Sequence, residues 1–345
     1  MSAPAANSGG APGARAGSAG ARGSAPGARG PAGPPPTDAD KAEMAKLNDL
    51  PPYAFGLGDG DYSTGPNYTP SKEEAVRADV PQGRIVHFVM NTADSKFFNV
   101  TPPADRNVDV YVPSQYVPGT PAPFIVSCDS YGLARNQLPN VLNNMIADHR
   151  LPVMLAVMIA NVPNPERSLE YDTVSSKYTE FVEAEVLPRV EKEAGVKLTK
   201  DPEGRMTFGG SSGGIAAFSM AWFHPELYHR VLSYSGTFVN LKNGPDAPHG
   251  GWEYHENFIP KAAAKPLRVW LEVAQNDNGG TTASSGMRNW IIANLRMAQD
   301  LKAKGYHYQL VYAKNAGHTD SKAIAQTLPQ ALEFVWKGYP IAPAK

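Results

Sequence analysis

The apolar positions of the chain fall into short blocks of two kinds. "GRIVHFVMNT" (83–92) and "NVDVYVP" (107–113) alternate or run apolar and predict the strands of an antiparallel start. "PFIVSC", "PVMLAVMIA", "RMTFGG", "RVLSYSG" and "PLRVWLEVAQND" are compact apolar runs, the pattern of strands buried on both faces. Between them lie stretches of helical spacing. "LPNVLNNMIADH" is one. In "SSKYTEFVEAEVLPRVEKEA", Tyr178, Phe181, Val182, Val186 and Val190 share a face, and Pro188 is expected to kink the helix. "GGIAAFSMAWFHP", "SGMRNWIIANLRMAQDLKAKG" with Gly305 as its stop, and "DSKAIAQTLPQALEFVWKG" complete the set, the last following the strand "YHYQLVYAKNAGH". Strands alternating with helices, without internal repeats, predict an α/β fold. Its central sheet is mostly parallel, with helices on both faces and antiparallel strands at its N-terminal side.

Composition changes this picture mainly at the N-terminus. Of the first 36 residues, 31 are Gly, Ala, Pro or Ser, and the only charges are Arg15, Arg22 and Arg29. Such a segment has almost nothing to bury, so residues 1–50 are expected to be a disordered tail and 51–345 a single folded domain. Gly does not recur at every third position, which excludes collagen, and no apolar core of a signal peptide is present. Tethers of this composition often follow an export signal, and the expected location is secreted or periplasmic, with a cytoplasmic one as the alternative. The formal net charge of −1 gives no field for nucleic acid, and no apolar run is long enough to span a membrane. Cys128, the single cysteine, excludes an internal disulfide and reads as a buried structural thiol.

In a sheet of this kind ligands collect at the carboxyl ends of the strands. The polar residues found there are Asp129 and Ser130 after "PFIVS", Ser211 and Ser212 after "RMTF", Asn276 and Asp277 after "RVWLEVA", and His318 after the last strand. Ser, Asp, His is the chain order of an α/β-hydrolase. "GGSSGG" (209–214) is a strand-to-helix turn that fits a nucleophile elbow in two registers, with either Ser211 or Ser212 at its apex. It is not a P-loop, because Ile215 and Ala216 stand where Lys and Ser or Thr are required, and no G-x-G-x-x-G opens the helix. A serine hydroxyl needs a base, and His318 is the one of eight histidines in the loop after the last strand with a following helix. Asp277 is placed to orient that base, whereas Glu272 belongs to the strand body and Asp320 suits a helix cap. The oxyanion donors are expected from the backbone N–H of the residue after the nucleophile and from Ser130 or Tyr131 in "CDSYG". Trp252 and Tyr254, in the Gly- and His-rich stretch 237–260, and Trp290 are candidates to line the cleft. No metal site or cofactor is expected: "DGDYSTG" at 59–65 lacks the closing Glu of a calcium loop, and no histidine pair has zinc spacing.

At these residues the chain resembles a family. "TFGGSSGGIAAFSMAWFHPELYHRVLSYSGTF", "RSLEYDTVSSKYTEFVEAEVLP" and "NAGHTDSKAIAQTLPQALEFVWKGYP" are similar to the Putative esterase family of α/β-hydrolases. It includes ferric enterobactin, feruloyl and acetylxylan esterases. The resemblance covers about Lys96 to Pro340 and implies an α/β-hydrolase fold. The family pattern Gly-x-Ser-x-Gly-Gly laid on Gly209, Ser211, Gly213 and Gly214 implies Ser211 as nucleophile, Ser212 N–H as an oxyanion donor, and Asp277 and His318 as partners. An apolar residue commonly follows the family's nucleophile; here Ser212 stands in that place. The implied activity is hydrolysis of a small-molecule or saccharide-linked carboxylic ester through an acyl-enzyme. The rival expectations are a ligand-binding protein on the same fold, or an acyltransferase with the same side chains.

Overall fold

A computed structural model describes residues 36–129, 137–163, 165–280 and 286–341. The strands are β1 Gly60–Thr64, β2 Arg84–Asn91, β3 Asp105–Val112, β4 Pro121–Ala122, β5 Phe124–Cys128, β6 Leu155–Ile159, β7 Lys197–Leu198, β8 Arg205–Gly210, β9 Arg230–Tyr234, β10 Arg268–Asn276 and β11 His307–Gly317. Nine of them form one sheet in the order β1-β11-β10-β9-β8-β5-β6-β3-β2. All neighbours from β1 to β6 pair in parallel, and β3 and β2 continue the sheet antiparallel, as the sequence predicts. β4 and β7 make a small separate pair. This is an α/β architecture with an open, mostly parallel central sheet and not a closed barrel.

Of the compact apolar runs, β5, β6, β8 and β9 are buried at every position, and β10 is buried from Val269 to Ala274. Alternate side chains enter opposite layers, so Phe124 and Val126 join one core and Ile125 the other. The second core is covered by helices α2 Leu138–Ala147 and α9 Ser321–Trp336. The first is covered by α3 Glu166–Tyr171, α4 Lys177–Phe181, α5 Leu187–Ala194, α6 Ser212–Phe223, the short α7 Ile259–Lys261 and α8 Trp290–Ala303. The expected kink at Pro188 takes the form of a π turn, Val182–Val186, joining α4 to α5 just ahead of the proline. Gly195 (φ +65°) and Gly305 (φ +74°) close α5 and α8 in the left-handed region, where glycine carries no Cβ penalty.

Two N-terminal segments depart from expectation. The tail expected to reach residue 50 gives way to a helix, α1, over Asp38–Lys46. Thr37 and Asp40 form a reciprocal capping box, Arg296 of α8 holds Asp40, and Leu47 is buried. The stretch "DGDYSTG", which carries no strand signal in the sequence, supplies β1, which pairs with the far edge of the sheet. The segment before residue 36 lies outside the described residues.

Candidate active site

The turn from β8 to α6 sets the centre of the site. Ser211 has φ +56° and ψ −126°, a conformation rare for a residue with a side chain. It is held there by Ser211 N–H donating to Tyr234 O (2.9 Å), while Gly214 and Thr237 N–H donate to Ser211 O at 2.9 and 3.1 Å. The tight crossing of strand and helix leaves no room at Gly209, where a Cβ would lie 2.2 Å from Gly213 O. The turn lifts the Ser211 hydroxyl to 2.8 Å from His318 Nε2. Ser212 opens α6 with its hydroxyl turned to Arg167 (3.0 Å) and not to His318. Its N–H belongs to the first helical turn, where no acceptor exists within the helix.

His318 follows β11, and Asp277 follows β10 beyond an irregularity in the pairing between Ala274 and Asn276. A shift of this kind re-aims the residue after it. The Asp277 carboxylate then meets His318 Nδ1 at 2.6 Å. Its oxygens also accept from Asn278 N–H (2.7 Å), Ala274 N–H (3.2 Å) and the Ser235 hydroxyl (2.6 Å). Ser235 itself accepts from Thr319 N–H at 3.1 Å, so it joins the Asp277 turn to the His318 loop. Three parallel strands thus deliver a serine–imidazole–carboxylate chain to one end of the sheet, with β9 contributing Ser235 between them.

A second carboxyl lies behind this chain. Glu272 of β10 is fully buried, with Ser235 Oγ 3.4 Å from one oxygen. Burial, and then the charge of Asp277, hold its carboxyl well above the usual glutamate range. Because the folded state keeps this proton above the ordinary glutamate range and the unfolded chain loses it, stability falls as pH rises from about 4.5. Glu272→Gln is therefore expected to raise the thermal midpoint at pH 8 relative to the wild type. The two proteins should converge near pH 4.5, as read in parallel melts. A midpoint difference independent of pH would show that Glu272 is ionised in the fold.

The remaining predicted residues divide. Trp290 packs edge-on against His318 with ring centroids 5.8 Å apart. Trp252 and Tyr254 do not line the site. Tyr254 is fully buried among Phe218, Trp222 and Phe238 with its hydroxyl 2.6 Å from Ser219, and Trp252 lies under Arg296 and against His255. Their rings fill the core between α6 and α8. Ser130 and Tyr131 lie outside the described residues. Asp320 caps α9 through Lys322 and Ala323 N–H, as expected. Cys128 is buried, and burial pushes its thiol up, away from reactivity. His87, His224, His229 and His307 pair with Asp109, Glu226, Glu203 and Asp59 on the surface.

Sequence reasoning missed Ser235, Arg167 and Asp172. Ser235 follows a buried strand by the rule that located the others and was readable. Arg167 sits on the short α3 and reaches the elbow only through the fold. Its guanidinium binds the Asp129 carboxylate (Nε to Oδ2 3.0 Å) beside buried Asp172. Burial pushes Asp172 up to about 6, opposed by nearby Ser212 and by the Ser168 hydroxyl, which donates to it at 2.8 Å.

The family model described as "Putative esterase" matches residues 100–335, more than half of the 345 residues. The chain belongs to the Putative esterase family. The Bacillus subtilis (strain 168) protein YbbA, itself uncharacterized, is 23% identical over 221 residues, which are 59% of this chain and 80% of YbbA. Among solved structures, the enterochelin esterase of Shigella flexneri superposes with a TM-score of 0.56 at 20% identity over 78% of this chain. This family member spans only 62% of that enzyme. A ferulic acid esterase from the anaerobic fungus Anaeromyces mucronatus superposes at TM-score 0.58 and 14% identity, covering 78% of this chain and 96% of the other. At these identities the two structures establish the shared fold. No described helix is long and apolar enough to cross a membrane.

Proposed function

We propose that this chain is a serine carboxylic-ester hydrolase. The observation that carries the reading is the unbroken chain from the Ser211 hydroxyl through His318 Nε2 and Nδ1 to Asp277. It stands at the carboxyl ends of parallel strands in a member of an esterase family.

The Ser211 oxygen attacks the ester carbonyl carbon as His318 Nε2 takes its proton. Asp277 fixes the tautomer and stabilises the imidazolium. The negative charge on the carbonyl oxygen falls to backbone donors, the Ser212 N–H among them. On collapse of the adduct, His318 returns the proton to the leaving alcohol and an acyl-Ser211 ester remains. Water then attacks that ester with His318 as base, which releases the acid and restores the serine. Ser235 and the buried Glu272 lie behind Asp277 and touch no reacting atom.

The proposed substrate is a small aromatic or feruloyl ester, an acetylated sugar, or a catecholate-siderophore ester. The near-complete coverage of the ferulic acid esterase favours the first. A panel of p-nitrophenyl acetate, methyl ferulate, acetylated xylan and a catecholate trilactone tests the reading. Release of acid and alcohol from at least one is expected, with methyl ferulate turned over best. Acyl transfer to an added alcohol in preference to water would make the protein a transferase. Saturable binding of a panel member with no turnover would make it a binding protein.

A further inference from the structure

The hydrolytic scheme uses only the backbone of Ser212, the residue that follows Ser211. Its side chain is nonetheless tied down. Ser212 is buried, and its hydroxyl accepts from Arg167 Nη1 at 3.0 Å while it favours the charged form of Asp172. The same guanidinium binds Asp129 with Nε (3.1 and 3.0 Å to the two oxygens) and with Nη2. Asp129 is the residue that follows β5. It holds φ +69°, and its N–H donates to the Tyr171 hydroxyl at 3.1 Å. Tyr171 belongs to α3, as Arg167 does, and the Arg167 guanidinium lies over its ring. The two segments joined in this way already touch, since a Cβ on Gly213 would lie 3.3 Å from Cys128 Cβ.

We propose that Arg167 is a positioning residue for the oxyanion-binding peptide: by bridging Asp129 to the Ser212 hydroxyl it fixes the first turn of α6 against the end of β5. The inference rests on the esterase reading above, in which the Ser212 N–H stabilises the charge on the acyl oxygen. The N–H has no side-chain freedom of its own, so its direction is set by whatever immobilises residue 212. A planar guanidinium can hold a carboxylate on one edge and a hydroxyl on another, and an ammonium cannot span both. The polar residue after the nucleophile is then explained as the acceptor that this clamp requires.

The test compares wild type, Arg167→Gln, Arg167→Lys, Ser212→Ala and Arg167→Gln/Ser212→Ala. The readouts are turnover of a p-nitrophenyl ester, thermal midpoint, and the rate at which a fluorophosphonate labels Ser211. Arg167→Lys keeps a cation beside Asp129 and is expected to melt like wild type, yet to lose about 10- to 100-fold in kcat with little change in KM. Labelling should slow by the same factor. Ser212→Ala removes only the other end of the bridge and should show a loss of the same kind. The double variant should be no slower than the worse single one, because both changes cut one link. Wild-type kcat and labelling in Arg167→Lys, or losses that multiply in the double variant, would overturn the proposal. The labelling rate reports on the clamp even if no ester in the panel is hydrolysed, so a failed substrate assignment is told apart from a failed clamp. Absence of labelling in the wild type would overturn both.

Discussion

Ser211→Ala is expected to lower ester turnover by about five orders of magnitude or more and to abolish fluorophosphonate labelling, with the fold unchanged. The hydroxyl removed makes a hydrogen bond to His318 Nε2, and the methyl left behind occupies the same strained backbone that serine does. The cost therefore falls on the chemistry and not on stability. The neighbouring serine supplies the contrast. Ser212→Ala keeps the nucleophile and its base, so labelling persists, slowed as the Arg167 clamp predicts. Peptide mapping of the labelled protein decides between them: the adduct should sit on Ser211. An adduct on Ser212, or labelling that survives Ser211→Ala, would take the nucleophile's role away from Ser211.

Gly209→Ala is expected to unfold the protein, since no other described glycine surveyed would bring an added Cβ so close to backbone. A Cβ there would meet Gly213 O at 2.2 Å and Gly213 C at 2.4 Å, both backbone atoms of α6 that cannot rotate away. The helix would have to lift off β8, and its fully buried face would go with it. A loss beyond about 4 kcal/mol follows, enough to leave little soluble protein. Gly244→Ala, where nothing lies within 4 Å of the added carbon, is the matched control and should melt like the wild type. A wild-type midpoint for Gly209→Ala would show that the elbow is far looser than its geometry.

The side chains that meet at the site were legible in the sequence for a simple reason. Ser211, Asp277 and His318 each end a run of apolar residues, and a parallel sheet places all such ends together. Spacing alone leaves both readings of "GGSSGG" open and the family pattern points to Ser211; the structure adds which hydroxyl faces His318 and where backbone approaches Gly209. Residues that act through the fold left no local mark. Arg167 lies 44 positions before Ser211 in a six-residue helix, and nothing in "PERSLEY" distinguishes it from a surface arginine. Trp252 and Tyr254 misled for the opposite reason. An aromatic ring in a Gly-rich stretch has the same sequence signature over a cleft as under a helix, and here both rings are buried. At the N-terminus the capping box of α1 was present in "TDAD" but was masked by the composition upstream. "GDYST" was too polar to resemble a strand, because β1 is an edge strand with only Ser63 and Thr64 buried.

That edge strand gives adjoining parts of the N-terminal region opposite tolerances to trimming. Residues 51–64 fold back as a clasp. Ser63 N–H donates to Pro51 O and Tyr53 N–H to Ser63 O, while the Tyr53 hydroxyl binds Gln309 and accepts from Trp270 Nε1. The clasp covers the outer side of Leu310, Val311 and Tyr312, on the strand whose end carries His318. Cleavage within the Ala- and Gly-rich segment leaves this cover in place. Cleavage beyond Thr64 would bare a row of unpaired amides and carbonyls on an apolar strand, a template on which a second molecule can add its own β-segment. Thus the strand that positions the imidazole is also the one that self-association would capture first.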